Sequence, residues 1–166
     1  MKKIIIFGNS GSGKSTLAKQ YAERFSLAHL DLDSLAWQDT IPPQRRELED
    51  SINDLNDFLS QHENWVIEGV YADLLSSISS DATKMFFVNP GIDTCIANSK
   101  NRPWEPHKYE SKEAQDKNLE MLIDWIKQYP ERDDEFSLTA HQKLFDDFVG
   151  NKVEYTSNER GLNDEW

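Results

Sequence analysis

The stretch Gly8-Asn9-Ser10-Gly11-Ser12-Gly13-Lys14-Ser15 constrains this chain more than any other. It has the spacing Gly, four residues, Gly, Lys, Ser, and it follows the apolar run Ile4-Ile5-Ile6-Phe7. Such a loop works only between a buried strand and the start of a helix. Its glycines let the backbone curl until its N–H groups face a phosphate chain. We therefore expect Gly8, Ser10, Gly11, Ser12, Gly13, Lys14, Ser15 and Thr16 to hold phosphates. Lys14 is placed to reach the β- and γ-phosphates and the Ser15 hydroxyl to ligate Mg2+. The next helix would point its positive end at the same anion.

The rest of the chain alternates strand and helix signals. Lys2 to Phe7 reads as a central strand covered on both faces. Leu17, Ala18, Tyr21 and Phe25 then recur at helical spacing, and His29 to Asp33 reads as a second strand ending in acids. Pro42 and Pro43 precede a helix with Leu48, Ile52, Leu55 and Leu59 on one face. Trp65-Val66-Ile67, closed by Glu68-Gly69, is a third strand, and Lys84 to Val88 is a fourth, stopped by Asn89-Pro90-Gly91. Residues 92–99 predict a helix, and residues 100–110, aperiodic with two prolines, a loop. Leu119, Leu122, Ile123 and Ile126 mark an amphipathic helix, Leu138 to Val149 another, and Lys152 to Tyr155 a fifth strand. The polar tail from Asn158 to Trp166 reads as partly disordered. The pattern predicts an α/β fold: a P-loop, three-layer αβα sandwich in one domain over residues 1–166, with a lid-like insertion around 100–110.

Ligands of such sheets bind at the carboxyl ends of the strands. Three ends carry chemistry here: the Gly8–Ser15 loop, Asp31 with Asp33, and Glu68. Glu68 is the second candidate Mg2+ residue beside Ser15. Asp31 and Asp33, two apart on an extended strand, would share one side. We expect Asp33 to be the general base toward a substrate hydroxyl and Asp31 its support. Arg45 and Arg46, at the start of the second helix, are candidates for a substrate anion site. Lys100, Arg102, His107 and Lys108 make the 100–110 loop a basic lid, with Arg102 its best candidate for neutralising transition-state charge. His29, His62, His107, His141 and Cys95 show no metal-ligand spacing. His62 is expected to face solvent beside Glu63 and Cys95 to be a small buried residue. Trp37, Trp65 and Trp125 read as core or substrate-wall aromatics.

Composition narrows the partners. With 18 basic and 30 acidic residues, the formal charge of -12 argues against direct binding of nucleic acid or an anionic membrane. No apolar stretch approaches a membrane span. One cysteine excludes an intrachain disulfide and, with no signal peptide read, suggests the cytoplasm.

These features together resemble the adenylate-kinase-like branch of P-loop kinases, which includes adenylate, shikimate and gluconate kinases. More closely, they resemble the small bacterial family of DNA topology modulation proteins, also described as adenylate kinase and related kinases. The resemblance rests on Ile4 through Ala18, on His29-Leu30-Asp31-Leu32-Asp33-Ser34-Leu35-Ala36-Trp37 and on Trp65-Val66-Ile67-Glu68-Gly69-Val70-Tyr71, and covers residues 1–90. It implies a parallel sheet of order 2-3-1-4-5, ATP with Mg2+, and an Asp31–Asp33 pair facing the acceptor. It also implies adenine held between the lid and the loop after strand five, here Asn158 to Gly161. Two departures stand out: relatives often have Asp-Gly at Glu68-Gly69, and their lids are usually richer in arginine. The expected activity is ATP- and Mg-dependent phosphoryl transfer to a metabolite hydroxyl or a nucleotide. The arginine-poor lid favours a metabolite, and leaves open a nucleotide-dependent switch or slow NTPase acting through a protein partner. The helix around Trp125 and Tyr129 would then be the partner surface.

Overall fold

The computed structural model describes residues 1–163. The apolar runs become five parallel strands: β1 (Lys3–Gly8), β2 (Ala28–Asp31), β3 (Trp65–Gly69), β4 (Lys84–Val88) and β5 (Asn151–Tyr155). Their spatial order is β2-β3-β1-β4-β5, as expected. The central strand β1 pairs Ile4 with Val66 on one side and with Lys84 on the other.

The connecting helices are α1 (Lys14–Phe25), α2 (Asp33–Ala36), α3 (Leu48–Gln61), α4 (Ala72–Ile78), α5 (Ile92–Lys100), α6 (Lys112–Lys127) and α7 (Leu138–Asp147). Alternate residues of a strand face opposite ways, so the continuous run in β1 feeds two cores. Ile4 and Ile6 join Val66, Phe86 and Val88 against Leu17, Ala18 and Tyr21 of α1. Ile5 and Phe7 join Ile67, Met85 and Phe87 against Ala36, Leu55, Leu74, Leu75 and Leu144 of α2, α3, α4 and α7. Helices thus cover both faces of the sheet, and among the described residues no helix is long and apolar enough to cross a membrane.

Several boundaries differ from the sequence expectation, each for a local reason. β2 stops at Asp31, because its carboxylate accepts the N–H of Asp33 at 2.9 Å and turns the chain into α2. The helix after Pro42-Pro43 begins only at Leu48. Arg45 instead lies in an antiparallel bridge to Trp37, so Arg45 and Arg46 precede the helix rather than open it. Helix α4 has no counterpart in the sequence reading. Its seven residues are too few to show a period, and it is held by buried Leu74, Leu75 and Ile78 and by Ala72 N–H donating to Glu135 O. Helix α7 ends at Asp147, where Phe148 turns extended and back into the core. His62 is half-buried, its ring tilted against that of Phe58 with centres 4.5 Å apart. The described part of the tail is tied back to the body: Asn163 N–H donates to the Tyr21 hydroxyl and the Tyr155 hydroxyl donates to Gly161 O. The expectation of disorder for residues 164–166 lies outside the described residues.

His141 of α7 is fully buried against Phe7, Phe87 and Tyr129. Its Nε2 lies 2.7 Å from Val70 O and its Nδ1 2.6 Å from the Tyr129 hydroxyl. A carbonyl only accepts, so Nε2 carries the proton and Nδ1 accepts from Tyr129. Burial lowers the imidazole to about 4. An unfolded histidine binds its proton near 6.5, so between these two values the unfolded chain holds more protons than the folded one. Stability therefore falls as pH drops from about 6.5 to about 4, by up to about 3 kcal/mol. Urea unfolding across that range should show this loss in the wild type and lack this share of it in His141→Gln. Equal pH slopes in the two would refute the assignment.

Candidate active site

The loop after β1 is shaped as a phosphate cradle. Gly11 and Gly13 adopt φ of +75° and +92°, a region costly for residues with a Cβ. A Cβ on Gly11 would lie 2.5 Å from Cys95 O, and one on Gly13 2.6 Å from an Arg160 guanidinium nitrogen. The loop is tied down from outside. Asn98 Nδ2 donates to Gly11 O at 2.8 Å, Arg160 to Gly13 O at 2.9 Å, and Asn9 Nδ2 to Ile126 O at 3.2 Å. Within the loop, Ser10 N–H donates to Asn9 Oδ1 at 2.8 Å and Ser12 N–H to Asn9 O at 3.2 Å. No side chain caps the N-terminus of α1 and its first turn carries no acid, so its N–H groups stand open to an anion.

Lys14 folds back over this loop, its Nζ donating to Asn9 O at 3.2 Å. Desolvation pushes its ammonium below the usual lysine range, against the pull of Glu68, Asp33 and Asp31; Arg102 pushes in the same direction as burial. The acids of two strand ends, Asp31 and Asp33 on one and Glu68 on the other, thus act with Arg102 of the 100–110 loop on the charge of one lysine.

Beside the cradle, Ser15 Oγ donates to Glu68 Oε1 at 2.6 Å. Glu68 is 1% exposed, and its Oε2 is buried without a hydrogen-bond partner. His29 Nε2 lies 3.6 Å from Oε2, too far for a hydrogen bond, and the Glu68 carboxylate raises its proton affinity. An orphaned buried carboxylate oxygen next to a serine hydroxyl costs free energy in the free protein. It fits a site for a divalent cation. Among the described residues no three His, Cys, Asp or Glu side chains cluster to hold a metal alone.

Across the cleft stands Asp33. It does not share a strand side with Asp31, as expected of an extended pair, because it opens α2; Asp31 instead fixes its backbone. Burial, then the Asp33 charge, raises the Asp31 carboxyl above the usual range. Asp33 Oδ1 accepts from the Tyr71 hydroxyl at 2.5 Å, and that hydroxyl accepts from Trp37 Nε1 at 2.7 Å. Burial and the Asp33 charge raise the Tyr71 phenol, so it remains a proton donor. Tyr71 was missed as a functional residue. Its one local signal is an aromatic directly beyond the Glu68-Gly69 strand end.

Ser10, Asp33, Trp37, Val70, Tyr71, Lys108, Trp125 and Phe136 line an open cleft of about 360 Å³. Trp37 and Trp125 are thus wall residues, while Trp65 is core. Tyr129, just beyond the end of α6, is buried on His141, while Trp125 of α6 lines this cleft.

The arginines are engaged. Arg45 pairs with Glu135 at 2.8 Å and Asp73 at 3.4 Å, and its guanidinium lies 4.8 Å from the Tyr71 ring centre. Arg46 pairs with Asp54 at 2.7 Å and donates to Leu35 O, toward α3. In the 100–110 loop, Glu105 gathers Arg102 at 3.2 Å, Lys108 at 3.5 Å and His107 at 3.6 Å. Cys95 is buried and its thiol is pushed up to about 11, which makes it a poor nucleophile.

Comparison with known proteins agrees with this architecture. A family model described as an AAA domain matches residues 4–118. The "Uncharacterized protein YqaC" of Bacillus subtilis (strain 168) is 35% identical over 68 residues, which are 41% of this chain and only 38% of that protein. A gluconokinase from Sinorhizobium meliloti 1021 superposes with a TM-score of 0.56 at 14% identity, over 92% of this chain and 82% of that one. A sugar kinase from Janibacter sp. HTCC2649 superposes with a TM-score of 0.52 at 10% identity, over 93% and 84%. At these identities the solved structures share the fold.

Proposed function

We infer that this chain, which belongs to the AAA domain family, is an ATP-dependent phosphotransferase acting on the hydroxyl of a small molecule. Within that family we place it with the adenylate-kinase-like kinases. The observation that carries the reading is Asp33, held by Tyr71 at the mouth of a second cleft beside the phosphate cradle. Hydrolysis alone has no use for a walled cleft with its own carboxylate. The gluconokinase and the sugar kinase built on the same fold point the same way.

In this reading the phosphates of ATP lie on the N–H groups of the loop and of the first turn of α1, with Lys14 against the β- and γ-phosphates. Mg2+ would be held by Ser15 Oγ and, directly or through water, by Glu68; when bound it neutralises charge on the β- and γ-phosphate oxygens. The acceptor hydroxyl donates to Asp33 Oδ2, since Tyr71 occupies Oδ1. The hydroxyl oxygen bonds to the γ-phosphorus as the bond from that phosphorus to the β–γ bridging oxygen breaks. ADP leaves and the hydroxyl proton passes to Asp33. Arg102 exchanges Glu105 for the transferring group and balances its charge. Arg45 buttresses Tyr71 and Arg46 fixes the segment before α3, both through the pairs described above.

An ATP-consumption screen with Mg2+ against sugars, polyols, nucleosides and nucleoside monophosphates tests this, with Lys14→Ala as control. An acceptor-dependent rate that disappears in the control is the expected result. Tight nucleotide binding with no acceptor effect would refute it. Tyr71→Phe removes one hydrogen bond to the base while keeping the ring, and steady-state kinetics should show kcat lowered about tenfold with KM for ATP unchanged.

A further inference from the structure

We propose that the acceptor is an uncharged ring compound carrying a free hydroxyl, a sugar or a nucleoside, stacked on the aromatic wall of the Asp33 cleft; this rests on the phosphotransferase reading. Trp37, 40% exposed, and the half-buried Trp125 and Phe136 offer the wall's open faces, and the buried Tyr71 joins them. Trp37 meets Tyr71 with ring centres 6.4 Å apart, Tyr71 meets Phe136 at 5.4 Å, and Phe136 meets Trp125 at 5.5 Å. Flat π faces beside a carboxylate bind the planar or C–H face of a ring and leave its hydroxyls to the acid. A cleft of about 360 Å³ is the size of a one- or two-ring metabolite.

The charges around the wall disfavour an anionic acceptor. An acceptor phosphate or carboxylate is favoured where the net charge facing it is positive. Arg45, its guanidinium 4.8 Å from the Tyr71 ring centre, pairs with Glu135 through Nη1 and with Asp73 through Nη2, while its buried Nε has no partner. Arg132, 3.4 Å from the Trp125 ring centre, serves Asp134. Lys108, at the rim, faces Glu105 at 3.5 Å. Arg45 is thus matched by two acids and Arg132 by one, Lys108 shares Glu105 with Arg102 and His107, and Asp33 adds a further negative charge at the reacting end. An anion placed there would have to break an existing ion pair and lie beside like charges.

The test compares matched pairs on the full chain with Mg2+ and a non-hydrolysable ATP analogue, read by saturation-transfer NMR: a monosaccharide with its aldonic acid, and a nucleoside with its 5′-monophosphate. We expect the uncharged member of one pair to bind at least tenfold tighter, and which pair responds separates sugar from nucleoside. Trp37→Ala should weaken that binding about tenfold; Trp37 is 40% exposed, so folding tolerates the change. Trp125→Phe should weaken it less, by keeping a smaller ring. Glu135→Gln, which releases Arg45, should narrow the preference over the anionic member about fivefold. Equal or tighter binding of the anionic members, or no binding of either uncharged member while the analogue is bound, overturns the proposal. Turnover is scored separately. Uncharged binding without phosphorylation would sink the phosphotransferase reading alone, and phosphorylation of the anionic members would sink this inference alone.

Discussion

Asp33→Asn will bind ATP within about twofold of the wild type and turn over about 10²–10⁴-fold more slowly, the usual worth of a general base. The structure makes this substitution unusually clean. Asparagine has the same shape, and its carbonyl oxygen still accepts from Tyr71. The Asp31 cap binds the backbone N–H of residue 33, not its side chain, so α2 keeps its start. Only basicity is lost. Initial-rate kinetics on the identified acceptor, with nucleotide binding measured by fluorescence, check it. Undiminished kcat would remove Asp33 from the chemistry.

Glu68→Gln should cost Mg2+ dependence and activity while leaving the fold in place. In the free protein Glu68 buries one carboxylate oxygen with no hydrogen-bond partner. An amide keeps the acceptor for Ser15 Oγ, puts its NH2 in the unpartnered position and gives up the charge that faces His29 at 3.6 Å. These changes oppose one another, so the variant should melt within a few degrees of the wild type without ligand. It should gain less from Mg2+ and ATP, need more Mg2+ for half-maximal rate, and lose about 10²-fold in kcat/KM. A variant that melts lower and keeps its Mg2+ dependence would make Glu68 a structural residue.

The three chemistry-bearing strand ends were legible because each follows an apolar run whose length and composition mark a buried strand. Gly8–Ser15, Asp31 and Glu68 are read off such ends, and the sheet order implied by the resemblance brings them to one edge. What surrounds them was not legible. Arg45 reads as a free anion-binding arginine until Glu135, ninety residues away in sequence, is placed on it. The wall of Trp37, Tyr71, Trp125 and Phe136 comes from four separate segments, none of which signals the others. Asp33 was misplaced onto the strand because alternation says nothing about a carboxylate capping two residues ahead. Arg160, which fastens Gly13, lies in a polar stretch whose composition reads as disorder, since one long-range contact leaves no local pattern.

The strand order also governs how this chain is made. β1 is the central strand and precedes both of its neighbours, which begin only at Trp65 and Lys84. At ribosomal speeds of about 5–20 residues per second, the nascent Ile4-Ile5-Ile6-Phe7 segment waits several seconds with no strand to pair with. Throughout that interval it is an apolar edge open to any other chain, the kind of segment a holdase chaperone protects. The phosphate loop rides on that strand, so nucleotide cannot help the early chain to fold. It can stabilise only what has already emerged past Val88.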